Sequence, residues 1–452
     1  MSLPAGEIVR LFDSEPEARD FLLRRRRLED TTLPPRVRES VRRVFGADLS
    51  AAEVVERILA DVRREGDRAL RRYTLAIDGA DLGDLRVSSE EFATARAQVA
   101  PDVIEALQLA RARIERFHQR QLRTSWMHVD EHGTLGQLLR PIERVGVYTP
   151  AGRAPYPSSL LMSAVPAQVA GVTQIVVCAP PGPDGHISPL ILAAAEIAGL
   201  RDVYAVGGAQ AIAAMAYGTE SLPRVDKIIG PGNIFVVLAK RRVYGEVDID
   251  QLPGPTETLV IADDGADPAL AAADLLAQAE HDPLASAILL TTSAALAEAV
   301  ADQLTEQLPR LERAAIAAES LATNGAIAVL PDLESAFELA NAYAPEHLCL
   351  LLSEPWEHLD RVRNAGGVFL GESSPEVLGD YTAGPSHLMP TGQTARFSSP
   401  INVEEFMKVI SIVGLNKRGL ASLGPAAATL ARAEGLTAHA RAVERRLGET
   451  ES

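Results

Sequence analysis

The sequence predicts an α/β protein made of two doubly wound, incomplete Rossmann-like lobes of parallel sheet, with helical segments at its N- and C-terminal ends. The first observation is that short β-branched runs alternate with Ala-rich helical stretches from Val145 onward, a pattern typical of βαβ units. The second is that these runs outnumber the strands of one small sheet. The third is a Pro- and Gly-rich stretch over residues 251–257 that divides the runs into two blocks.

Residues 1–125 are predicted to form a helical N-terminal region, because they are rich in Arg and Glu and carry apolar residues at helical spacing. Residues 51–73 and 102–121 are the clearest examples. The dense basic run over residues 24–27 is followed by Glu29 and Asp30, so we interpret it as a solvated helix end rather than a binding patch.

The first α/β lobe is expected over residues 126–255 and the second over residues 256–397. The runs expected as strands are residues 145–148, 174–179, 202–206 and 226–229 in the first lobe, and residues 258–262, 287–291, 326–330, 348–352 and 367–370 in the second. After about Ser398 no further strand is expected. Helical spacing over residues 424–433 and 436–447 predicts a helical C-terminal segment over residues 398–452.

Composition excludes several classes of protein. The 452 residues carry 44 Lys and Arg against 61 Asp and Glu, a formal net charge of −17, which phosphate backbones and anionic lipid surfaces would repel. Aromatic residues make up 4% of the chain and hydrophobic residues 47%, which is typical of a globular enzyme and not of a disordered chain or a base-stacking nucleic-acid binder. We therefore expect no nucleic-acid and no membrane partner.

The cysteine content favours a reducing compartment. Cys178 and Cys349 both lie in apolar runs and cannot form a disulfide framework. The N-terminal residues lack the basic and then apolar pattern of a secretory signal, and no uncharged apolar stretch reaches the length of about 18 residues that a membrane span needs. The sequence therefore predicts a cytoplasmic protein.

Two glycine pairs lie where a predicted strand gives way to a helix. They belong to the stretches Gly207-Gly208-Ala209-Gln210 and Gly230-Pro231-Gly232-Asn233. Ligands of open α/β sheets bind at such positions, and helix N-termini favour phosphate groups. Neither stretch completes a dinucleotide fingerprint or a P-loop, so a non-standard nucleotide loop and a plain tight turn are equal alternatives here.

Polar residues that could bind a metal occur in three separated pairs, which are Gln278 with His281, Asp380 with His387, and Glu434 with His439. The first two residues are three positions apart in a helical pattern, so both side chains leave the same helix face. A polar pair that faces solvent has the same spacing. Imidazole, carboxylate and amide oxygen ligands together suit Zn²⁺.

Glu346 and His347 stand at the entrance of an apolar run. Successive strand residues point to opposite sheet faces, so one site that uses both requires a turn or irregular backbone there. A solvent-facing Glu-His pair is an equal alternative.

Cys349 could act as the thiol nucleophile of an aldehyde dehydrogenase. Its neighbours Leu348 and Leu350 supply no cation to activate a thiolate, which favours a buried structural cysteine.

Several motifs together, in this order, resemble histidinol dehydrogenases over about two thirds of the chain, from Arg144 to the C-terminus. The matching stretches are ERVGVYTPAGRAPYPSS, VGGAQAIAAMAYGTE, KIIGPGNIFV, GPTETLVIAD, QAEHDPLASAILLTT, APEHL, NAGGVFLG, LGDYTAGPSH, PTGQTARFSS and AEGLTAHARA. The N-terminal helical part carries little diagnostic sequence.

The resemblance implies an enzyme that oxidises L-histidinol to L-histidine through an aldehyde, in two hydride transfers to NAD⁺, with one zinc ion per subunit. It implies that the metal ligands are Gln278, His281, Asp380 and His439. The implied proton acceptors are Glu346 and His347. The implied substrate contacts are the metal ligands with Thr256, His347, His387 and Glu434, and the implied NAD contacts are Tyr148, Gln210 and Asn233.

The resemblance also implies a homodimer with shared active sites, in which Glu434 and His439 complete the site of the partner subunit. The last helices follow Pro400 and carry candidate ligands without predicted strands of their own, which fits such an exchange. The sequence departs mildly from the family, since Thr256 stands where Ser is common and Ser386 where Asn is common. Two alternatives are a related zinc and NAD dehydrogenase of another primary alcohol, such as a sulfonated diol, and a non-catalytic descendant of the enzyme.

Overall fold

A computed structural model describes residues 8–24, 33–151 and 155–448 of the chain. Most of the basic run over residues 24–27, and the acidic residues that follow it, lie outside this described part. The strands are β1 (Arg10–Phe12), β2 (Trp126–Asp130), β3 (Gly133–Pro141), β4 (Arg144–Tyr148), β5 (Gln174–Ala179), β6 (Val203–Ala205), β7 (Lys227–Ile229), β8 (Asp248–Ile249), β9 (Glu257–Ala262), β10 (Ser286–Thr291), β11 (Ala326–Val329), β12 (His347–Leu351), β13 (Gly367–Leu370) and β14 (Met407–Leu415).

The helices begin beside β1 and continue to the C-terminal end of the described part. They are α1 (Glu15–Leu22), α2 (Pro35–Phe45), α3 (Ala51–Glu65), α4 (Asp67–Asp78), α5 (Ser89–Gln98), α6 (Pro101–His118), α7 (Pro157–Ala170), α8 (Pro189–Ile197), α9 (Gly208–Tyr217), α10 (Ile234–Val243), α11 (Pro268–Ala279), α12 (Ala294–Gln307), α13 (Ala314–Asn324), α14 (Leu333–Tyr343), α15 (Glu376–Tyr381), α16 (Lys417–Ala433) and α17 (Thr437–Leu447). None of the described helices is long and apolar enough to cross a membrane.

The first lobe contains a parallel sheet in the order β6-β5-β4-β7-β8. Its central strands are buried on both faces, as their continuous apolar runs predict. Helices α6, α7 and α8 cover one face, and α3, α4, α9 and α10 cover the other. The strand order reverses between β4 and β7, which creates a crevice at their carboxyl ends.

The second lobe repeats this arrangement. Its parallel sheet has the order β1-β11-β10-β9-β12-β13, with the reversal between β9 and β12. Helices α11, α12 and α13 pack on one face, and α1 and α14 pack on the other. The predicted fold class of two doubly wound lobes is therefore confirmed, and a strand occupies each of the predicted runs.

The terminal segments are mainly helical, as predicted, but each also contributes a strand. Strand β1 pairs in parallel with β11 and extends the second sheet. Strand β14 pairs antiparallel with β3, which pairs with β2, so the expectation that strands end near Ser398 is wrong. The helix predicted over residues 51–73 is divided into α3 and α4 at Gly66, whose φ of 54° is left-handed.

Candidate active site

The two predicted proton acceptors lie together at the amino end of β12. Glu346 precedes the strand and His347 begins it, and the His347 Nδ1 atom is 3.9 Å from the Glu346 Oε2 atom. The backbone is irregular just before this pair, since Ala344 at the end of α14 has a left-handed φ of 56°. Both side chains are buried, so the solvent-facing alternative is wrong.

The Glu346 carboxylate is held by residues that lead into β9. Its Oε2 atom accepts a hydrogen bond from the Thr256 hydroxyl and another, of 3.0 Å, from the Glu257 backbone N–H. Burial raises the pKa of Glu346, while the neighbouring His347 acts to lower it. Glu346 is therefore oriented by two donors.

His347 is fixed through one ring nitrogen and leaves the other open. Its Nδ1–H donates to the Glu257 carbonyl at 3.2 Å, which sets the tautomer. Nε2 lies 3.7 Å from Asp380 Oδ1 and has no hydrogen-bond partner within the described residues. Burial acts to lower the pKa of His347, but the carboxylates of Glu346, Glu376 and Asp380 outweigh burial and raise it to about 10.

Two buried glutamates beside this pair were missed by the sequence analysis. Glu257 accepts from Gly392 N–H at 3.1 Å, and burial together with Glu346 raises its pKa to about 8. Glu376 accepts from the Thr258 hydroxyl, and burial raises its pKa to about 7. Their only sequence signal is an acidic residue beside an apolar segment, which an exposed strand or helix end shares.

Asp380 and His387 lie where the two lobes meet. The His387 Nδ1–H donates to the Asp380 backbone carbonyl at 2.7 Å, and Nε2 lies 3.0 Å from the Ser159 hydroxyl in α7 of the first lobe. The neighbouring Ser386 hydroxyl donates to the Met162 carbonyl in the same helix. Burial acts to raise the pKa of Asp380, but His347 outweighs it, so this carboxyl stays ionised at the lobe boundary.

Gln278 lies in the last turn of α11, which packs against α15, and the helix ends before His281, so the expectation that both side chains leave one helix face is wrong. Gln278 is buried, and its amide nitrogen has no hydrogen-bond partner among the described residues. His281 lies just beyond the helix, with its N–H bonded to the Gln278 carbonyl at 3.3 Å. The His281 imidazole is close enough to the Asp380 carboxylate for electrostatic attraction. These three predicted ligands therefore share one region.

Glu434 and His439 lie elsewhere in the single chain. Both are exposed, at the junction of α16 and α17, which pack against each other, while α16 also contacts β14. Over the described ranges, no three His, Cys, Asp or Glu side chains form a group that could hold a metal. One chain thus brings together only part of the predicted ligand set.

The predicted cofactor residues lie at the carboxyl ends of the first sheet. Tyr148 ends β4, and its hydroxyl accepts from Gly208 N–H at 3.1 Å. Gln210 in α9 is fully buried, and neither of its amide atoms has a hydrogen-bond partner within the part described. Asn233 caps α10 by accepting from the N–H groups of the first helical turn. These positions surround the crevice between β4 and β7.

Cys349 lies on β12, two residues after His347, and its side chain lies beside an acid. Its sulfur is buried and lies 3.9 Å from the Glu376 carboxylate. Burial, reinforced by this acid, raises the pKa of Cys349 well above its ordinary value. Such surroundings disfavour the thiol nucleophile of the alternative hypothesis.

Comparison with known proteins identifies the family of the chain. The sequence model of the family described as histidinol dehydrogenase matches residues 42–447. Curated histidinol dehydrogenases from Deinococcus radiodurans and Moorella thermoacetica are each 54% identical to the chain, over 92% and 89% of its length and 95% and 96% of theirs. The crystal structure of histidinol dehydrogenase from Elizabethkingia anophelis superposes with a TM-score of 0.90 at 37% identity, covering 98% of both chains. The predicted oxidoreductase class is confirmed, and the chain belongs to the histidinol dehydrogenase family.

Proposed function

We propose that this protein catalyses the zinc- and NAD-dependent, four-electron oxidation of L-histidinol to L-histidine through L-histidinaldehyde, the last step of histidine biosynthesis. The observation that carries the proposal is the meeting of Glu346, His347 and Asp380 at the lobe boundary, with Gln278 and His281 beside them. When bound, zinc would hold the amine and imidazole nitrogens of the substrate, and NAD⁺ would accept the hydrides.

The donor set supports zinc as the metal. We propose that the amide oxygen of Gln278, the imidazole of His281 and the carboxylate of Asp380 hold one side of the ion, and that His439 of the partner subunit completes the set. Two imidazoles, one carboxylate and one amide oxygen suit Zn²⁺, and Mn²⁺ or Co²⁺ could replace it. Gln278 is buried and its amide nitrogen has no hydrogen-bond partner among the described residues, so that atom does not fix the amide plane and the oxygen can turn towards an ion.

A shared site in a homodimer accounts for the exposed positions of Glu434 and His439. Both residues lie on the C-terminal hairpin, α16 with α17, which adjoins the antiparallel sheet. Large apolar side chains are exposed along this hairpin and sheet, including those of Trp126, Met127, Val129, Leu135, Val409, Ile410, Val413, Leu423 and Leu430. Exposed apolar surface of this extent marks a protein interface. We propose that a second copy of the chain covers it and receives Glu434 and His439.

Subunit complementation tests the shared site. His347→Ala and His439→Ala should each be inactive as homodimers, because each lacks one essential group in both sites. In the mixed dimer, one site carries both substitutions and the other carries neither, so mixing should restore part of the activity. Native mass spectrometry provides the control that mixed dimers form. No recovery in a sample that contains mixed dimers would contradict sharing.

His347 is proposed as the base that takes the hydroxyl proton of the substrate. Its Nδ1–H is committed to the Glu257 carbonyl, so Nε2 is the nitrogen available to bind a proton. The raised pKa keeps His347 protonated while its neighbouring carboxylates are charged. A cation that neutralises Asp380 removes one of these attractive charges and lowers the pKa of His347 towards the range of a base.

Glu346 is proposed to deprotonate the water that attacks the aldehyde. Its Oε2 atom is occupied by the Thr256 hydroxyl and the Glu257 N–H, which fixes the carboxylate plane. The other oxygen remains to accept the proton. Water addition gives a hydrate, and loss of a hydride with its electron pair to NAD⁺ and of one hydroxyl proton to a neighbouring base would give the carboxylic acid. A positioned general base contributes about 10²–10⁴-fold to such a step.

NAD is proposed to bind across the crevice of the first sheet, with Tyr148, Gln210 and Asn233 as contacts. The buried Gln210 amide has unused hydrogen-bonding capacity, which fits a ligand group. Gly230 allows close packing of the loop, since a Cβ atom there would lie 2.0 Å from the Tyr148 carbonyl oxygen. His387 is proposed to contact substrate from the same boundary, and Glu434 of the partner subunit to pair with its charged nitrogen.

Two reduced cysteines in buried positions support the proposed cytoplasmic location.

The substrate is tested by NADH formation from L-histidinol and, in parallel, from a sulfonated diol, with zinc-loaded and chelated protein. Turnover of histidinol alone, lost on chelation, is the expected result. Turnover of the diol alone would favour the related dehydrogenase, and turnover of neither would favour the non-catalytic alternative.

A further inference from the structure

A fully buried ion pair lies directly beneath the loop that joins β7 to α10. Lys240 in α10 is 0% exposed, and its ammonium group pairs with the Asp250 carboxylate, which is 3% exposed. The mechanism proposed above assigns neither residue a role. Replacing such a pair by apolar side chains of similar size is often neutral or stabilising, so its presence calls for an explanation other than stability.

Both residues bind the backbone of Gly230. The Lys240 ammonium donates to the Gly230 carbonyl at 3.0 Å, and the Asp250 Oδ2 atom accepts from the Gly230 N–H at 2.8 Å. The two side chains and the glycine thus form a closed ring of hydrogen bonds. Gly230 has a φ of 123°, and its backbone lies against Tyr148, so the ring fixes a conformation that few residues can adopt.

The ring lies between the proposed cofactor contacts. Gly230 follows β7 and is three residues before Asn233, while Tyr148 ends the neighbouring β4. The same Asp250 carboxylate accepts from Gln251 N–H at 2.6 Å, and the Gln251 side chain donates to the Leu388 carbonyl beside His387. The pair therefore also links the loop to the segment that leads into the second lobe.

We propose that Lys240 and Asp250 are positioning residues that hold the loop over residues 230–233 in the form that receives NAD⁺, an inference that rests on the proposed function. A loop ordered before binding costs less to immobilise, so its affinity for ligand is higher. The charges are needed because the N–H and the carbonyl of Gly230 are both buried, and each requires a hydrogen-bond partner there.

The test uses Lys240→Met/Asp250→Leu, which removes both charges together, so that neither is left buried without the other, and takes away the side-chain partners of the Gly230 N–H and carbonyl. We expect the Kd of NAD⁺, measured by calorimetry on the dimer, to rise about tenfold. We expect the KM for histidinol to stay within about twofold. Hydrogen exchange of peptides that cover residues 229–236 should become faster without ligand.

Lys227→Met is the matched control. Lys227 is also buried, lies on β7, and pairs with Asp248 and Glu405, yet none of its ion pairs involves the loop. The Lys227→Met variant should have a lower melting temperature and an unchanged Kd of NAD⁺. If the double variant does not fold, Asp250→Asn, which keeps the side-chain shape, should raise the Kd by a smaller factor.

An unchanged Kd in the folded double variant, or an equal rise in Lys227→Met, would overturn the inference. Failure of the wild-type protein to bind NAD⁺ would instead overturn the proposed function. In that case the exchange rates alone decide whether the pair orders the loop, since they need no ligand.

Discussion

Replacing Glu257 by Gln should change how stability depends on pH. Burial and the neighbouring Glu346 raise the pKa of Glu257 to about 8 in the folded chain, against an ordinary value near 4.5. Between these values the folded state holds a proton that the unfolded state has released. Unfolding therefore becomes easier as pH rises through this range, and the stabilising effect of protonation is complete only below the unfolded pKa.

The magnitude follows from the size of this shift. When the folded state holds about one proton more than the unfolded state, the free energy of unfolding falls by about 1.4 kcal/mol per pH unit. The ionisation of Glu257 should therefore lower the free energy of unfolding by about 2 kcal/mol between pH 6 and pH 8. An amide side chain at this position is neutral at both pH values, and Glu257→Gln should therefore lose less stability over this range than the wild type. Titrating groups that do not interact with Glu257 are present in both proteins and cancel in the comparison.

Urea unfolding of chelated protein at pH 6 and pH 8, at one fixed protein concentration, measures this difference. Glu298→Gln is the control, because Glu298 is exposed on α12. It should reproduce the wild-type pH dependence. An equal loss of stability in wild type and Glu257→Gln would refute the placement of Glu257 as a buried, protonated acid.

Three further substitutions test separate parts of the account. Glu346→Gln should slow the second oxidation about 10²–10⁴-fold, so product analysis should find the aldehyde accumulating. Cys349→Ser should keep both oxidations, because the buried thiol takes no part; loss of the aldehyde step alone would restore the thiol hypothesis. Gly230→Ala should lower the melting temperature, since its Cβ would lie 2.0 Å from the Tyr148 carbonyl oxygen at a φ of 123°. A thermal scan that matches the wild type would contradict that packing.

The strands of both lobes could be predicted because parallel strands are buried on both faces and read as continuous apolar runs. The run over residues 174–179 coincides with β5. Strand β14 was missed, although residues 409–413 are rich in β-branched side chains, because its partner β3 lies far away in the sequence and much of its surface is exposed in one chain. The β-branched run is a local signal for a strand, but nothing local in the sequence indicates its partner.

The candidate site was only partly predictable for a related reason. Tyr148, Gln210 and Asn233 lie at the carboxyl ends of the first sheet, where open α/β sheets bind ligands. In the second lobe the acidic and imidazole side chains lie at the opposite, amino edge, beside Glu346 and His347.

The burial of Glu257 and Glu376 depends on segments distant in sequence that cover them. Gly392 lies in the segment over Glu257, and Thr258 hydrogen-bonds Glu376 from a neighbouring strand. No local sequence pattern distinguishes these acids from exposed ones. In the proposed dimer the place of His439 depends on a second chain, so neither local pattern nor the fold of one chain decides it.

The most direct test of the central claim is the number of NADH molecules formed per L-histidinol consumed, with histidine quantified, after chelation and after zinc reloading. We predict two NADH and one histidine per histidinol, with activity lost on chelation and regained with zinc. One NADH with accumulating aldehyde would contradict the role given to Glu346, and zinc-independent turnover would contradict the metal site built on Gln278, His281 and Asp380.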